Sequence, residues 1–396
     1  MGKRRSDNGS GTRGTLRHEP QTQVDLLLTA ALGSLPVSWL DDANEKLMRL
    51  VETRISDHGI AALLYENRQK LIGWPHDIFD FLRREALGQA MWEARHKAVL
   101  SGLLNAMAHT GIRAILLKGT ALAYLAYANP ASRKRGDTDL LVQVSDRNDG
   151  RSILSECGFF PIEAAHSLDG EQRLQEVWAH DAEDGSRHFI DLHWQVTNSP
   201  SLEGILRFSD ISANLQPLPR LSPNAQAPDS VSLMIHACVH RAGHKVSPYF
   251  VDGRRLIEGD RLIWLFDLHL LAQAFSDDHW SDLVKRCSQL KIGPVCHEGL
   301  LAARTRFHTD VPFEVLQSLI ADSSVSVATD YLMNESPLRR AWLDLRAIKA
   351  GQTRLSYLLA RIFPPAAFIR SKYPNHAHWP VVLLYARRIA SLVFRK

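Results

Sequence analysis

Apolar residues recur at helical spacing through the first hundred residues, where runs of β-branched residues are few. The pattern predicts helices over residues 24–32, 42–58 and 77–109. In the third segment Ile78 and Leu82 belong to one apolar stripe, and a second stripe on another face begins at Leu87 and Met91. The segment is therefore either two helices with a break or one helix buried on two sides.

Near residue 111 the pattern changes to short apolar runs that are bounded by polar loops, which is typical of strands. Strands are predicted at 112–117, 137–142, 159–163, 175–180 and 188–196, with helices over 121–126 and 147–157. Short strands joined by short loops indicate a small mixed sheet.

Helical spacing returns after a proline-containing stretch and continues to the C-terminal end. The predicted fold class is α+β, with a small mixed β-sheet core flanked by N-terminal and C-terminal helical regions. The predicted boundaries are 1–22 for a polar, glycine-rich disordered tail, 23–110 for the N-terminal helical region, 111–214 for the α/β core, 215–228 for a linker and 229–396 for the C-terminal helical domain.

Two carboxylates stand two positions apart at the start of the strand 137–142. Because side chains alternate along a strand, Asp137 and Asp139 project from one face and Thr138 points away. Neighbouring carboxylates repel each other unless a cation lies between them, so the pair fits a ligand set for Mg²⁺ or Mn²⁺. An Asp-x-Asp pattern is nevertheless common, and alone it is equally typical of a turn.

The segment before this strand has the features of a phosphate-binding turn. Gly119 permits a sharp strand-to-helix turn, Thr120 can cap the helix, and Lys118 adds positive charge to the helix N-terminus. A third acid is expected on a neighbouring strand, and Asp191 supplies it within an alternating, β-prone segment.

These segments resemble the polymerase-β-like nucleotidyltransferase superfamily, and within it the group of uncharacterised nucleotidyltransferases. The resemblance is carried by Leu117-Lys118-Gly119, by Arg133, by Asp137-Thr138-Asp139-Leu140-Leu141-Val142 and by Asp191-Leu192-His193-Trp194. It extends from about residue 25 to the C-terminal end, but its specificity lies in residues 114–194. The superfamily prefers Gly-Ser or Gly-Gly where this chain has Gly119-Thr120, a departure that keeps the hydroxyl.

The resemblance implies transfer of a nucleoside monophosphate from a nucleoside triphosphate, with ATP as the expected donor, to a hydroxyl acceptor with release of pyrophosphate. Asp137, Asp139 and Asp191 would be the catalytic and metal-binding residues, and Asp191 could take the hydroxyl proton. The expected nucleotide-binding residues are Lys118, Gly119, Thr120, Arg133, Arg135, His193, His240, His244 and Asp267.

Several of these residues have a structural alternative. Lys134 and Arg135 are as well explained by a solvated basic loop, and a strand histidine such as His193 is commonly structural. His240 and His244 continue a helical i, i+4, i+8 series that begins at His236. That spacing suits a shared cation, but no acid accompanies it in a zinc-protease arrangement, so a polar seam facing the cleft or a neighbouring helix is favoured.

Composition narrows the class of protein further. The net charge is only +4 and is spread along the chain, which disfavours long nucleic acid as a partner. The four cysteines are scattered without a C-x-x-C pair, which fits buried thiols in the cytoplasm. No stretch reaches eighteen uncharged apolar residues, so stable membrane insertion is not expected. Residues 379–394 come closest, and they either pack on the core or lie on a membrane surface.

Three classes of function stay open at this point, and the third is a helical scaffold whose α/β insert is incidental and binds no nucleoside triphosphate. One is the nucleotidyltransferase, whose acceptor could be a small molecule, a peptide, a protein or RNA. The alternative is a catalytically inactive nucleotide-binding adaptor or sensor. All three candidate carboxylates are present, whereas an inactive module would often have lost one, so catalysis is favoured.

Overall fold

The computed structural model of the chain describes residues 20–40, 44–162, 174–197, 199–245, 249–251, 254–256, 259–321, 325–348, 351–363 and 378–393, together with residues 366, 369, 370, 373 and 376. Residues 1–19 of the predicted tail lie outside the described residues, and residues 20–22 belong to the first helix.

The N-terminal region is helical, as the sequence pattern predicts. It contains α1 (Pro20–Ala31), α2 (Glu45–His58), α3 (Ala61–Glu66) and α4 (His76–His109), with the short parallel strands β1 (Val37–Ser38) and β2 (Leu71–Ile72) between them. Helix α2 is capped at its start by Asn44, whose side chain accepts a hydrogen bond from the Leu47 N–H, and at its end by Gly59 in the left-handed conformation.

Helix α4 is continuous over 34 residues, which decides between the two alternatives for this segment. Its first turns bury Ile78 and Leu82 in the core of the N-terminal helices, and its last turns bury Leu103 and Met107 against the sheet. The predicted second stripe is wrong at its start, because Leu87 and Met91 are exposed. The helix therefore links two hydrophobic cores.

The central region contains β3 (Ile115–Leu116), α5 (Lys118–Leu125), β4 (Asp137–Leu141), α6 (Arg147–Glu156), β5 (Phe160–Ile162), β6 (Gln175–Asp181), β7 (Arg187–His193), α7 (Phe208–Ser212), β8 (Leu215–Pro217) and β9 (Gln226–Pro228). Its strands form a seven-stranded sheet in the order β5-β6-β7-β4-β3-β9-β8. The β4/β7 and β3/β9 pairs are parallel and the other pairs are antiparallel. The α+β fold class and the mixed sheet are thus confirmed.

The stretch 215–228 differs from the predicted linker. It forms β8 and β9, which extend the sheet beyond β3, so the sheet continues past the predicted core boundary at residue 214. Pro217 and Pro228 each occupy the last position of a three-residue strand. The prolines suggested a linker because proline has no N–H group to donate to a neighbouring strand. At the end of a strand this missing donor is tolerated.

The C-terminal region is mostly helical. It contains α8 (Ser230–Lys245), the hairpin β10 (Tyr249–Val251) and β11 (Arg254–Leu256), α9 (Leu262–Gln273), α10 (Asp277–Leu290), α11 (Gly293–Phe307), α12 (Phe313–Ala321), α13 (Val327–Met333), α14 (Pro337–Ala347), α15 (Gly351–Ile362) and α16 (Val381–Val393). Helices α8 to α12 share the hydrophobic core of the sheet. Among the described helices, none has the length and apolar content needed to cross a bilayer.

Candidate active site

The three candidate carboxylates project from one face of two adjacent parallel strands. Asp139 on β4 lies directly opposite Asp191 on β7, and Asp137 lies opposite Phe189 two positions earlier. Asp139 is buried, Asp191 is partly buried, and Asp137 is exposed at the start of its strand. The strand alternation therefore delivers the arrangement that the sequence predicted.

Asp139 is the most strongly bound of the three. Its Oδ1 accepts a hydrogen bond from the Lys118 ammonium, and His193 Nε2 lies 2.9 Å from the same oxygen. Burial alone would raise the pKa of Asp139, but the Lys118 charge and the His193 contact outweigh burial and hold that pKa well below its ordinary range. Asp139 is therefore ionised throughout the neutral range.

The pKa of Asp191 is shifted in the opposite direction from that of Asp139. Burial, together with the charges of Asp139 and Asp137, raises the pKa of Asp191 to about 8. Its Oδ2 accepts a hydrogen bond of 3.2 Å from the Gln175 amide on β6. Although Asp137 is exposed as a residue, the protein around its carboxyl group removes part of the solvent there, and this desolvation and the Asp139 charge also raise the pKa of Asp137. The face thus carries more negative charge than its protein partners neutralise.

The turn between β3 and α5 differs in detail from the prediction. The residue with positive φ is Lys118, at 46°, and not Gly119. A lysine in the left-handed region costs on the order of 1 kcal/mol, so this geometry is maintained by its surroundings, including the Asp139 ion pair. A Cβ on Gly119 would meet Arg133 Nη1 and Arg135 Cβ at an ordinary 3.6 Å. The predicted turn role of Gly119 is therefore wrong.

The site contains a donor set that suits a divalent cation. One ligand atom from each of Asp139, Asp191 and His193 lies within 4.8 Å of the other two. Two carboxylates and an imidazole are ordinary ligands for divalent metals, so the residues present fit the group that the resemblance implies. Asp137 does not belong to this cluster of described residues.

Comparison with known proteins agrees with this geometry. A family model described as an uncharacterised nucleotidyltransferase matches residues 45–308, which is the greater part of the chain. The chain belongs to this family. The match runs from the start of α2 to the end of α11, so it includes all three carboxylates and the helices around the sheet. No curated protein matches the chain.

The opposite face of β4 in this nucleotidyltransferase carries a separate polar network. Thr138 Oγ1 lies 2.8 Å from Thr120 Oγ1 and 2.7 Å from His96 Nε2. Arg135 donates through Nε to the Thr120 hydroxyl and forms a buried ion pair with Glu93 at 2.7 Å. The side chains of Thr120 and Arg135 are therefore directed away from the carboxylates, and their contacts with a nucleotide stay a prediction. Because α5 begins at Lys118, Thr120 is not its N-cap, which contradicts the predicted cap.

Two further predicted residues of the nucleotidyltransferase bind each other. Arg133 donates through Nε and Nη2 to Asp267 on α9 at 2.8 and 2.7 Å, and the Tyr127 hydroxyl donates to the same carboxylate at 2.7 Å. Both members of the ion pair are buried. Their charges are thus largely used in joining the loop before β4 to α9, a pairing that short sequence motifs do not reveal.

The α8 histidines lie beside the acidic face, close enough for the Lys118 charge to affect them. Burial, helped by Lys118, lowers the pKa of His236 to about 3 and that of His244 to about 4. His240 and His244 each lie 5.5 Å from the Trp264 ring, centroid to centroid. Two histidines of the predicted polar seam therefore face the Trp264 ring of α9 next to the cleft.

Sequence reasoning missed the residues that support the site from behind. Glu93 and His96 are buried polar residues in the middle of α4, and Gln175 begins β6 opposite His193. The signal available in the sequence was that two polar residues, Glu93 and His96, lie on the side of α4 that is buried. The partners of Glu93 and His96 each lie 42 positions away and that of Gln175 lies 16 positions away, so no local pattern indicates them.

Proposed function

We propose that this nucleotidyltransferase transfers a nucleoside monophosphate from a nucleoside triphosphate to a hydroxyl acceptor and releases pyrophosphate. The observation that supports this most is the set of three carboxylates on adjacent strands, immediately beside the N-terminus of α5. ATP is the proposed donor and the cytoplasm the proposed location, where a triphosphate and divalent cations are both available.

The first turn of α5 is the proposed phosphate site. Its leading N–H groups have no partner inside the helix, and the positive end of the helix dipole favours anions. Lys118 occupies the first position of α5, and its side chain is about one-fifth exposed. Its ammonium could therefore exchange the Asp139 oxygen for a phosphate oxygen when a triphosphate binds.

The proposed reaction balances through the chain's own groups. The acceptor oxygen forms a bond to the α-phosphorus while the bond from that phosphorus to the bridging oxygen breaks, and pyrophosphate leaves with the bonding electrons. Asp191 accepts the hydroxyl proton in its ionised form, and a cation bound beside it would favour that form over the protonated one. A bound divalent cation would neutralise phosphate charge and acidify the hydroxyl. Asp137, at the exposed start of β4, would face the triphosphate.

The acceptor is proposed only as a hydroxyl-bearing molecule, which includes small molecules, peptides, proteins and RNA ends. Long nucleic acid is disfavoured because the net charge is only +4. The histidine and aromatic residues of α8 and α9 beside the acidic face are the proposed lining of the nucleotide or acceptor side.

The test is incubation of the purified full-length protein with each nucleoside triphosphate, a divalent cation and a cell extract, followed by mass spectrometry. A mass increase of one nucleotide on some molecule, with matching pyrophosphate release, is the expected result. Asp139→Asn should lower this transfer about a thousandfold, because it removes the charge that both the lysine and a cation bind.

Asp181→Asn is the matched control, since Asp181 is an exposed aspartate at the far end of β6 and pairs with Arg187. It should transfer nucleotide at the wild-type rate. Transfer that survives in Asp139→Asn would refute the catalytic role of the acidic face. Absence of any labelled product with all four triphosphates would support the inactive binding module instead.

A further inference from the structure

His193 is held in one orientation by contacts at both ring nitrogens. The residue is fully buried on β7, and its Nδ1 lies 3.3 Å from the backbone carbonyl oxygen of Gln195. A carbonyl can only accept a hydrogen bond, so this contact places a proton on Nδ1. Metal-binding histidines commonly use one ring nitrogen in this way, which fixes the tautomer and aims the other nitrogen at the metal.

The other nitrogen of His193 points at the carboxylates. Its Nε2 lies 2.9 Å from Asp139 Oδ1, and both atoms belong to the cluster that includes Asp191. Two ligands at about 2.1 Å from one octahedral ion lie about 3 Å apart, since the separation is the bond length multiplied by √2. Without an ion, Nε2 donates a hydrogen bond to the ionised Asp139 across this distance. The same separation matches two adjacent ligand positions on one ion, which would take the place of that proton.

Asp191 has a comparable second contact. The Gln175 amide donates to Asp191 Oδ2, and Gln175 pairs directly with His193 in the β6/β7 register. This hydrogen bond orients the carboxylate and leaves Oδ1 for another partner. Both the imidazole and the carboxylate are thus held from behind by a neutral group, as is usual around metal ligands.

We propose that His193 is a direct ligand of the metal ion held by Asp139 and Asp191, and that this nitrogen makes the site prefer Mn²⁺ to Mg²⁺. The inference rests on the proposed function for the use of the metal, but not for its binding. Mg²⁺ is bound almost entirely by oxygen and keeps several waters, whereas Mn²⁺ accepts imidazole more readily. From the sequence, His193 was expected to contact the nucleotide, and either Mg²⁺ or Mn²⁺ was expected as the metal ion.

Lys118 sets a condition on this binding. Its ammonium and His193 share the same Asp139 oxygen, so a divalent ion at that oxygen must displace the lysine. The lysine side chain is partly exposed and can move towards solvent, whereas the histidine is enclosed. Of the two groups on Asp139, the lysine is therefore the one that leaves and the histidine the one that stays.

The deciding experiment is pulsed electron paramagnetic resonance of Mn²⁺ added to the metal-stripped, full-length protein without nucleotide. A nitrogen coupling from one directly bound imidazole is expected in the wild type and should disappear in His193→Gln. Calorimetric titration should show that His193→Gln weakens Mn²⁺ binding at least tenfold and Mg²⁺ binding by a smaller factor, so that the preference shrinks.

His180→Gln is the matched control, because His180 lies on the neighbouring strand β6 and on the opposite face of the sheet. It should keep the nitrogen coupling and both affinities. Bound Mn²⁺ without nitrogen coupling in the wild type would overturn the proposal, even if His193→Gln failed to fold. Failure of the wild type to bind either ion would overturn it as well.

These outcomes separate the inference from the proposed function. Nitrogen coupling in a protein that transfers no nucleotide would support the ligand role of His193 and refute the catalytic activity. Nucleotide transfer with Mn²⁺ bound but without nitrogen coupling would support the catalytic activity and refute the ligand role of His193.

Discussion

The two faces of β4 show how one short strand can serve opposite purposes. On one face Asp139 lies among other acids, with Asp191 directly across the sheet. On the other face Thr138 lies in a closed network with Thr120 and His96. Both faces are polar, and alternate residues of the same strand supply them.

The two faces differ in how completely their charges are compensated. Behind the strand, the Arg135 guanidinium pairs with one buried carboxylate, Glu93, which also accepts from the Tyr124 hydroxyl. On the acidic face three carboxylates share the Lys118 ammonium and His193, and the pKa of Asp191 is raised to about 8 as a result of burial and its neighbours. Charge that the protein leaves uncompensated is available to a ligand, and compensated charge supports the fold.

Glu93→Gln should produce the largest loss of stability, because it leaves the buried Arg135 guanidinium without a carboxylate. Removing one partner of a buried pair costs about 3 kcal/mol of unfolding free energy. Below the unfolding transition, nucleotide turnover per folded molecule should stay within about twofold of the wild type. Chemical denaturation and a pyrophosphate-release assay measure the two quantities.

Glu85→Gln provides the control on the same helix, since Glu85 is partly exposed and its contact with Lys134 is long, at 3.6 Å. Its effect on stability should be below about 0.5 kcal/mol. If Glu93→Gln abolished turnover while the fold persisted, the network behind β4 would belong to the catalytic site and the contrast between the faces would be lost.

Asp191→Asn should have a smaller and opposite effect on stability. A carboxyl whose pKa is raised on folding binds more protons in the native state than in the unfolded state, so stability falls as pH rises from about 4 to about 8. The variant lacks this titration. At pH 9 without metal it should be more stable than the wild type by about 2 kcal/mol, with little gain at pH 4.

Denaturation curves at the two pH values, in the presence of a chelator, measure this difference. The same variant should lose the stabilisation that Mn²⁺ gives the wild type, because it removes a proposed ligand. An equal pH dependence in the two proteins would mean that Asp191 is not under electrostatic strain, and that the acidic face is compensated like the other one.

Local sequence patterns predicted the parts of this arrangement that depend on alternation and neighbouring strands. Asp137, Asp139 and Asp191 share a face because side-chain direction has a period of two, and the α+β class follows from the change in hydrophobic spacing near residue 111. The family membership, which the motifs Leu117–Gly119 and Asp137–Val142 suggested, is confirmed by the family match.

The charge pairs could not be predicted in the same way. Arg133 binds Asp267, 134 positions later, and Arg135 binds Glu93, 42 positions earlier, so each choice of partner depends on tertiary packing. A basic run before an acidic strand has the same sequence whether it faces a triphosphate or a buried carboxylate. The turn at Lys118 was missed for a related reason, since local propensity assigns positive φ to the adjacent glycine.

Helix α5 is the element that contacts both faces, and Gly119 lies between Lys118 on one side and Thr120 on the other. Gly119→Ala should raise the unfolding free energy by about 0.5 kcal/mol, because alanine favours the helix and its Cβ would make only ordinary contacts at 3.6 Å. The same methyl group would crowd the first turn of α5, so triphosphate affinity should fall several-fold.

Gly102→Ala is the matched control, since Gly102 is an exposed position within α4 and an added Cβ there meets nothing within 4 Å. It should give a comparable gain in stability with unchanged triphosphate affinity in a titration with a fluorescent ATP analogue. Equal triphosphate affinities in the two variants would show that the phosphate site is not at the first turn of α5. The acidic face would then bind a metal without a triphosphate beside it.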